Sequence, residues 1–248
     1  MKYFVLLLSM AVVLFFATSQ LNAQILFQAD FSNTSGNNDP AAWNANNVGA
    51  GKNVFDVAGG RLLQTTNDCV NSTKTPFPTD GSSWTDYAVA VDIWDKDNDA
   101  FSILFRYTDA NNYYNFTIGG GDFDNRWRLG DSTAREDDCF DAASPALAEG
   151  ENGLTIDESG ATAYTMVVSV NGDKIQVFFG EQVDVQSGQL PPLLAEVNDN
   201  AHPQGTAGLH FGSNPMDLDN IFVFGPGVAV EPQGKLATAW GQIKSSVY

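Results

Sequence analysis

The sequence predicts an all-β protein: an antiparallel β-sandwich of the jelly-roll kind, with about a dozen strands in two curved sheets. Three observations carry this. No long segment of helical period occurs between the N-terminal apolar run and residue 230. Short runs of alternating polar and apolar residues recur throughout, separated by Gly, Pro, Asn and Asp turn signals. The stretch Asp86–Ile118 alternates most clearly, with Tyr87, Val89, Val91, Ile93, Phe101, Ile103, Phe105 and Tyr107 all large and apolar at odd positions.

Met1-Lys2, the apolar run Phe4–Ala17 and the small residue ending Leu21-Asn22-Ala23 read as a cleavable secretory signal over residues 1–23. The run is short for a membrane span, which needs about 20 apolar residues. Export predicts a secreted, periplasmic or cell-surface location, with no membrane insertion after cleavage. Residues 24–227 form the predicted sandwich. Residues 228–248 are a Pro/Gly linker and a short amphipathic tail, in which Leu236, Trp240 and Ile243 share one helical face.

Within the sandwich, Ile25–Phe31 is a first strand leading into an Asn/Gly/Ser-rich loop. Asn53–Val57 and Arg61–Thr65 form a hairpin about Gly59-Gly60, which supply positive φ angles. Thr66–Ser83, with Pro76 and Pro78, reads as loop. Three consecutive antiparallel strands follow: Tyr87–Trp94, Ala100–Tyr107 and Asn112–Ile118. Pairing Trp94 with Ala100 and Thr108 with Tyr113 gives all three one apolar face. The opposite face then carries Asp92, opposite Ser102, and Asn115 opposite Arg106. A glycine turn at Gly119–Gly121 leads to a short strand through Arg126–Leu129. Asp131 to Gly153 is irregular and acidic, with a helical turn at Pro145–Ala148. Tyr164–Val170 and Lys174–Phe179 form a hairpin about Asn171-Gly172, with Val170 pairing Asp173. After the Pro191-Pro192 loop, Gly205–Gly212 and Leu218–Phe224 close the domain. Trp43 and Trp84 stand in loops and read as packing over a core edge; His210 reads as a surface histidine.

Twelve Lys and Arg stand against 30 Asp and Glu, a formal charge of −18. Such a surface repels phosphate backbones and anionic lipid, so neither nucleic acid nor a membrane surface is an expected partner. Cys69 and Cys139, in polar turn-like segments of an exported chain, are expected to form a disulfide.

An acidic turn followed by FSILFRYTD and NNYYNF resembles the lectin-like jelly-roll domains of the laminin G type and the C-terminal domain of thrombospondins, within the concanavalin A-like superfamily. The resemblance covers Ile25 to about Gly225 and implies binding of sugars or proteins, with polysaccharide cleavage in some members. It also implies a structural Ca²⁺ between first and last strands. Here the matching acids are Asp30 in QADFSN and Asp219 in MDLDNIFV, with Asp217 nearby; the same acids also read as ordinary strand-end residues.

A sugar site needs an aromatic platform for C–H faces and paired hydrogen-bonding groups for hydroxyls. On the polar face of the predicted three-strand unit these are Asp92, Arg106, Tyr113 and Asn115, with Trp94 at its edge and Arg128 extending the patch. Simple cross-strand pairing on a solvated face is the alternative. Asp95-Lys96-Asp97-Asn98-Asp99 begins like a calcium loop, but the sixth position is Ala100 and the twelfth Arg106, so it reads as a solvated acidic turn. No glycosidase-type pair of carboxylates, nucleophile elbow, zinc motif or phosphate loop is found, and no organic cofactor is implied. The reading is a non-catalytic carbohydrate-binding or adhesion module whose partner is an extracellular glycan or a matrix or surface protein. The alternatives are a polysaccharide hydrolase or lyase on the same fold, and a protein-binding laminin G-like module.

Overall fold

The computed structural model describes residues 24–48, 53–67, 74–132 and 146–226. The predicted signal, both cysteines, residues 133–145 of the irregular acidic stretch and the C-terminal tail lie outside the described residues.

Fourteen strands among the described residues form two antiparallel sheets. They are β1 (Ile25–Ala29), β2 (Phe55–Ala58), β3 (Arg61–Gln64), β4 (Lys74–Pro76), β5 (Tyr87–Asp95), β6 (Ala100–Asp109) and β7 (Asn112–Gly119). Then follow β8 (Arg126–Asp131), β9 (Ala146–Glu151), β10 (Tyr164–Asn171), β11 (Lys174–Glu181), β12 (Leu193–Asn198), β13 (Thr206–Gly212) and β14 (Met216–Phe224). The eight-stranded sheet runs β12-β11-β10-β5-β14-β3-β2, with β1 also paired to β14; the six-stranded sheet runs β4-β13-β6-β7-β8-β9.

The period-two pattern holds, and its alternate residues make the core. Val89, Val91 and Ile93 of β5 meet Phe101, Ile103 and Phe105 of β6 and Phe116 of β7 in one buried cluster. The sheet assignment of β5 differs from expectation, however. Its partners are β10 and β14, and the predicted Trp94–Ala100 pairing does not form. Between Asp95 and Ala100 the chain crosses from one sheet to the other. The hydrophobic pattern is indifferent to that choice, because an apolar face is buried equally well from either side of a sandwich.

The β6–β7 hairpin forms with Asp109 opposite Asn112, but its register shifts between Phe105 and Asp109. Arg106 sits in that bulge with φ +48°, a conformation rare outside glycine. Consequently Asn115 faces Leu104 rather than Arg106, and Tyr107 leaves the core to pack with Leu104 and Tyr113 outside it. The β10–β11 hairpin turns one residue later than predicted, pairing Asn171 with Lys174 and Val170 with Ile175, a register slip of two. Gly172, at φ +60°, is a loop residue in this register. A slip of two preserves parity, so the core face is the predicted one.

Four elements go beyond the sequence reading. β4 falls in the predicted loop and tolerates Pro76 as an edge strand. β9 replaces the predicted helical turn about residue 146, and β12 follows the Pro191-Pro192 loop. A short helix, α1 (Pro40–Ala45), is capped by Asp39, whose carboxylate accepts from the Ala41 N–H at 2.9 Å. It delivers Trp43, fully buried, among Phe27, Phe31, Phe55 and Phe77, and the Trp43 indole donates to the Asn37 carbonyl. Burying so large a ring contributes on the order of 3 kcal/mol.

Candidate functional site

In the six-stranded sheet, residues alternating with the core strand by strand form an outward row. Cross-strand pairs link Lys74 to His210, His210 to Ser102, Ser102 to Thr117, Thr117 to Arg128 and Arg128 to Glu149. The row thus crosses all six strands and consists entirely of side chains that hydrogen bond. Ser102 and Thr117 share a hydroxyl contact of 2.7 Å, and Asn115 donates to Thr117 Oγ1 at 3.1 Å. Beside the row stand Asn115, Gly130 and Tyr113. Gly130 has a physical role there: a Cβ at that position would lie 2.5 Å from Asn115 Oδ1. Tyr113 packs against Tyr107 at 5.8 Å, with the Lys74 ammonium 5.2 Å from its ring. At the β8–β9 end the face opens into a cleft of about 230 Å³, lined by Thr117, Asp122, Phe123, Arg126, Arg128 and Glu149.

Burial lowers the His210 pKa to about 3, helped by the nearby Lys74 charge, so its imidazole is neutral at physiological pH. His210 Nε2 and Asn115 Oδ1 are both buried with no hydrogen-bond partner among the described residues. An unmade bond at a buried polar atom costs about 1–3 kcal/mol, so two on one face point to a role other than stability.

The predicted sugar-face residues separate. Tyr113, Asn115 and Arg128 lie on this face. Asp92 and Trp94 lie on the outer surface of the other sheet, because β5 belongs there. Asp92 is buried, accepting from Thr165 Oγ1 at 2.6 Å, Gln182 Nε2 at 2.6 Å and Asn220 Nδ2 at 2.9 Å. Trp94 is covered by the Arg61 guanidinium, 3.6 Å from its ring centre, and is therefore no open platform. Arg106 is no surface ligand either, because its buried guanidinium is already committed to backbone carbonyls. Its guanidinium donates to the carbonyls of Thr85 (3.0 Å), Gly172 (2.5 Å) and His202 (3.2 Å), tying three loops at one end of the sandwich. Its backbone N–H donates to the Tyr87 hydroxyl at 2.6 Å. The bulge turns the side chain away from the face that strict alternation predicts.

The predicted metal acids also divide. Asp30 and Asp219 influence one another electrostatically. Asp219 is raised to about 6, chiefly by burial and then by Asp92 and Asp30, whereas hydrogen bonds from Ser32 lower Asp30. Asp217 is already claimed by the cations Lys96 and Arg61. Among the described residues no three potential metal-ligating side chains converge, so a calcium site on all three predicted acids does not fit this geometry.

The acidic turn after β5 is less solvated than its sequence predicts. Asp95 is 3% exposed and raised to about 7, mainly by burial. Asp99 is raised to about 6 by burial, Asp97 and Asp122. Lys74, Thr117 and Glu149 are the residues of the outward row that the sequence leaves unassigned, and His210, expected at the surface, is buried in it. The available signal was the alternation of His210 with Leu209 and Phe211, and of Thr117 with Phe116 and Ile118.

No family model and no curated protein matches the sequence. Solved structures do match. A carbohydrate binding module, CBM66, from Bacillus subtilis aligns over 72% of this chain and 95% of its own, at 15% identity and a TM-score of 0.52. A Bacillus subtilis protein of unknown function with a galectin-like fold aligns over 82% and 97%, at 11% identity and 0.53. The exoplasmic/lumenal domain of VIP36, in a Ca²⁺/Man2-bound form, aligns over 77% and 84%, at 10% identity and 0.50. At such identities the likeness establishes the fold alone: an antiparallel jelly-roll sandwich like those of these proteins.

Proposed function

We propose that this chain is a secreted, non-catalytic carbohydrate-binding module that holds a glycan on the outer face of its six-stranded sheet. The observation that carries the reading is the continuous row of hydrogen-bonding side chains across that sheet, with His210 Nε2 and Asn115 Oδ1 buried and unpartnered. Neutral imidazole and amide groups suit hydroxyls, which both donate and accept. Arg128 adds a planar donor where the face opens into its cleft. Structural similarity to proteins described as a carbohydrate binding module and as a Man2-bound lumenal domain supports this chemistry. The predicted signal over residues 1–23 supports an extracellular, periplasmic or cell-surface location. A calcium ion would use Asp30 and Asp219 with backbone oxygens and water. Half-buried Asp219, beside two other acids, is the group a cation would relieve.

The test is thermal unfolding of the mature chain in EDTA, in Ca²⁺, and in Ca²⁺ with a panel of polysaccharides. A ligand that binds the native state raises the midpoint by mass action. The expected result is a glycan-dependent rise that Asn115→Ala and Arg128→Ala each diminish. A calcium-dependent rise should be lost in Asp219→Ala. No response to any glycan would refute the reading in favour of a protein partner, and no response to millimolar Ca²⁺ would remove the metal.

A further inference from the structure

The outer surface of the eight-stranded sheet carries a pocket that the glycan face does not involve. After β11 the chain folds back over this sheet. The Gln182 N–H donates to the Ala163 carbonyl and the Val183 N–H to Thr165 Oγ1. Asp184 caps the next turn by accepting from the N–H groups of Gln186 and Ser187, and Gly188 closes it at φ +82°. Val185 and Leu190 pack onto Ala90, Val167 and Phe178. Between this segment and the sheet lies a cavity of about 320 Å³, at the lower end of the range for small-molecule sites.

The floor of the pocket is the Asp92 carboxylate, 4% exposed and held by three donors. Two of those donors are the side-chain amides of Gln182 and Asn220. A carboxylate only accepts, so each amide must turn its NH₂ toward Asp92 and its carbonyl oxygen away from it. Asp92 is thus a positioning residue: it fixes the orientation of two amides that line the cavity. The amides of Gln186 and Gln189 complete the polar wall, and Val183, Val185 and Phe222 supply an apolar side. The ionisable groups of the lining, Asp92 and Asp184, are both acids, which disfavours anions. Amides serve a partner that both donates and accepts, and the apolar side serves C–H groups.

We infer that this pocket is a second binding site, for a single neutral sugar residue held through its hydroxyls, on the sheet opposite the proposed glycan face. Two sites on opposite sheets would let one molecule bridge two glycan chains, with the gain in avidity that simultaneous engagement brings.

The experiment is saturation-transfer NMR on the mature chain with methyl glucoside, methyl mannoside and methyl galactoside. At least one glycoside should show transfer that persists in Asn115→Ala, a variant of the other face. Gln182→Ala should weaken it about tenfold, the scale of one or two lost hydrogen bonds. Because Gln182 also holds Asp92, the exposed pair Gln186→Ala/Gln189→Ala provides a second variant outside that network, with a weakening in the same direction. Transfer lost in Asn115→Ala but unchanged in both pocket variants would overturn the second site while leaving the glycan face standing. Absence of transfer from all three glycosides in the unmodified chain would also overturn it, independently of any polysaccharide response in thermal unfolding.

Discussion

Replacing Asp95 by Asn should stabilise the protein at alkaline pH and change little in acid. Asp95 ends β5 with its carboxyl 3% exposed. Burial is the largest influence on it; Asn214 and the Asp97 N–H partly offset that effect, and Glu158 adds repulsion. Together they raise its pKa from 3.8 to about 7. Between those values the folded chain holds a proton that the unfolded chain has released. Stability from this group is therefore fully present below pH 3.8 and is lost as pH rises through about 7. The interval corresponds to a ceiling of about 4 kcal/mol, and local relaxation and water penetration should leave about 2 kcal/mol. Asn keeps an oxygen to accept from the Asp97 N–H and has no charge to desolvate. At pH 8 Asp95→Asn should raise the melting midpoint by about 4–8 °C, and at pH 4 by almost nothing. Differential scanning calorimetry of both proteins across this range checks it, and comparing the two cancels every other titrating group. A variant less stable than the unmodified chain at pH 8 would refute the reasoning, since it would mean that the ionised carboxylate is itself stabilised by a cation.

His210 works in the opposite sense. With its folded pKa lowered to about 3, only the unfolded chain gains a proton as pH falls below 6.5, so stability falls in acid. His210→Gln should flatten the decline between pH 6.5 and 4 in acid-denaturation curves. Arg106→Lys should cost more than about 3 kcal/mol in urea unfolding, because an ammonium cannot span the carbonyls of Thr85, Gly172 and His202. Gly130→Ala should displace the Asn115 side chain, costing about 1–3 kcal/mol and weakening any glycan-dependent thermal shift.

Much of this architecture is legible from alternation alone. Val89, Ile103 and Phe116 are core because each stands at the apolar phase of a period-two run, and Thr117 and His210 face away for the same reason. Local chemistry placed the Gly59-Gly60 turn, with both φ angles positive. Reading failed where the pattern weakened. β4 hides in a proline-bearing stretch because an edge strand needs only one partner, and Trp43 sits on a helix too short for a period to register.

By itself, then, the sequence determined the fold class, the strands with strong alternation and the inward or outward phase of nearly every residue on them. Only the tertiary structure decided which outward residues share a surface. Asp92 on β5 and Asn115 on β7 have the same outward phase in the run of three consecutive strands, yet they stand on opposite sides of the sandwich because β5 pairs with β10 and β14 while β7 pairs with β6 and β8. Phase is set by the backbone of a single strand, whereas pairing is set by contacts between segments as distant as Asp92 and Asp219. The bulge at Arg106 belongs to the second kind: Gly205 approaches so closely that a Cβ there would lie 2.5 Å from the Arg106 carbonyl carbon, a contact written in no local pattern.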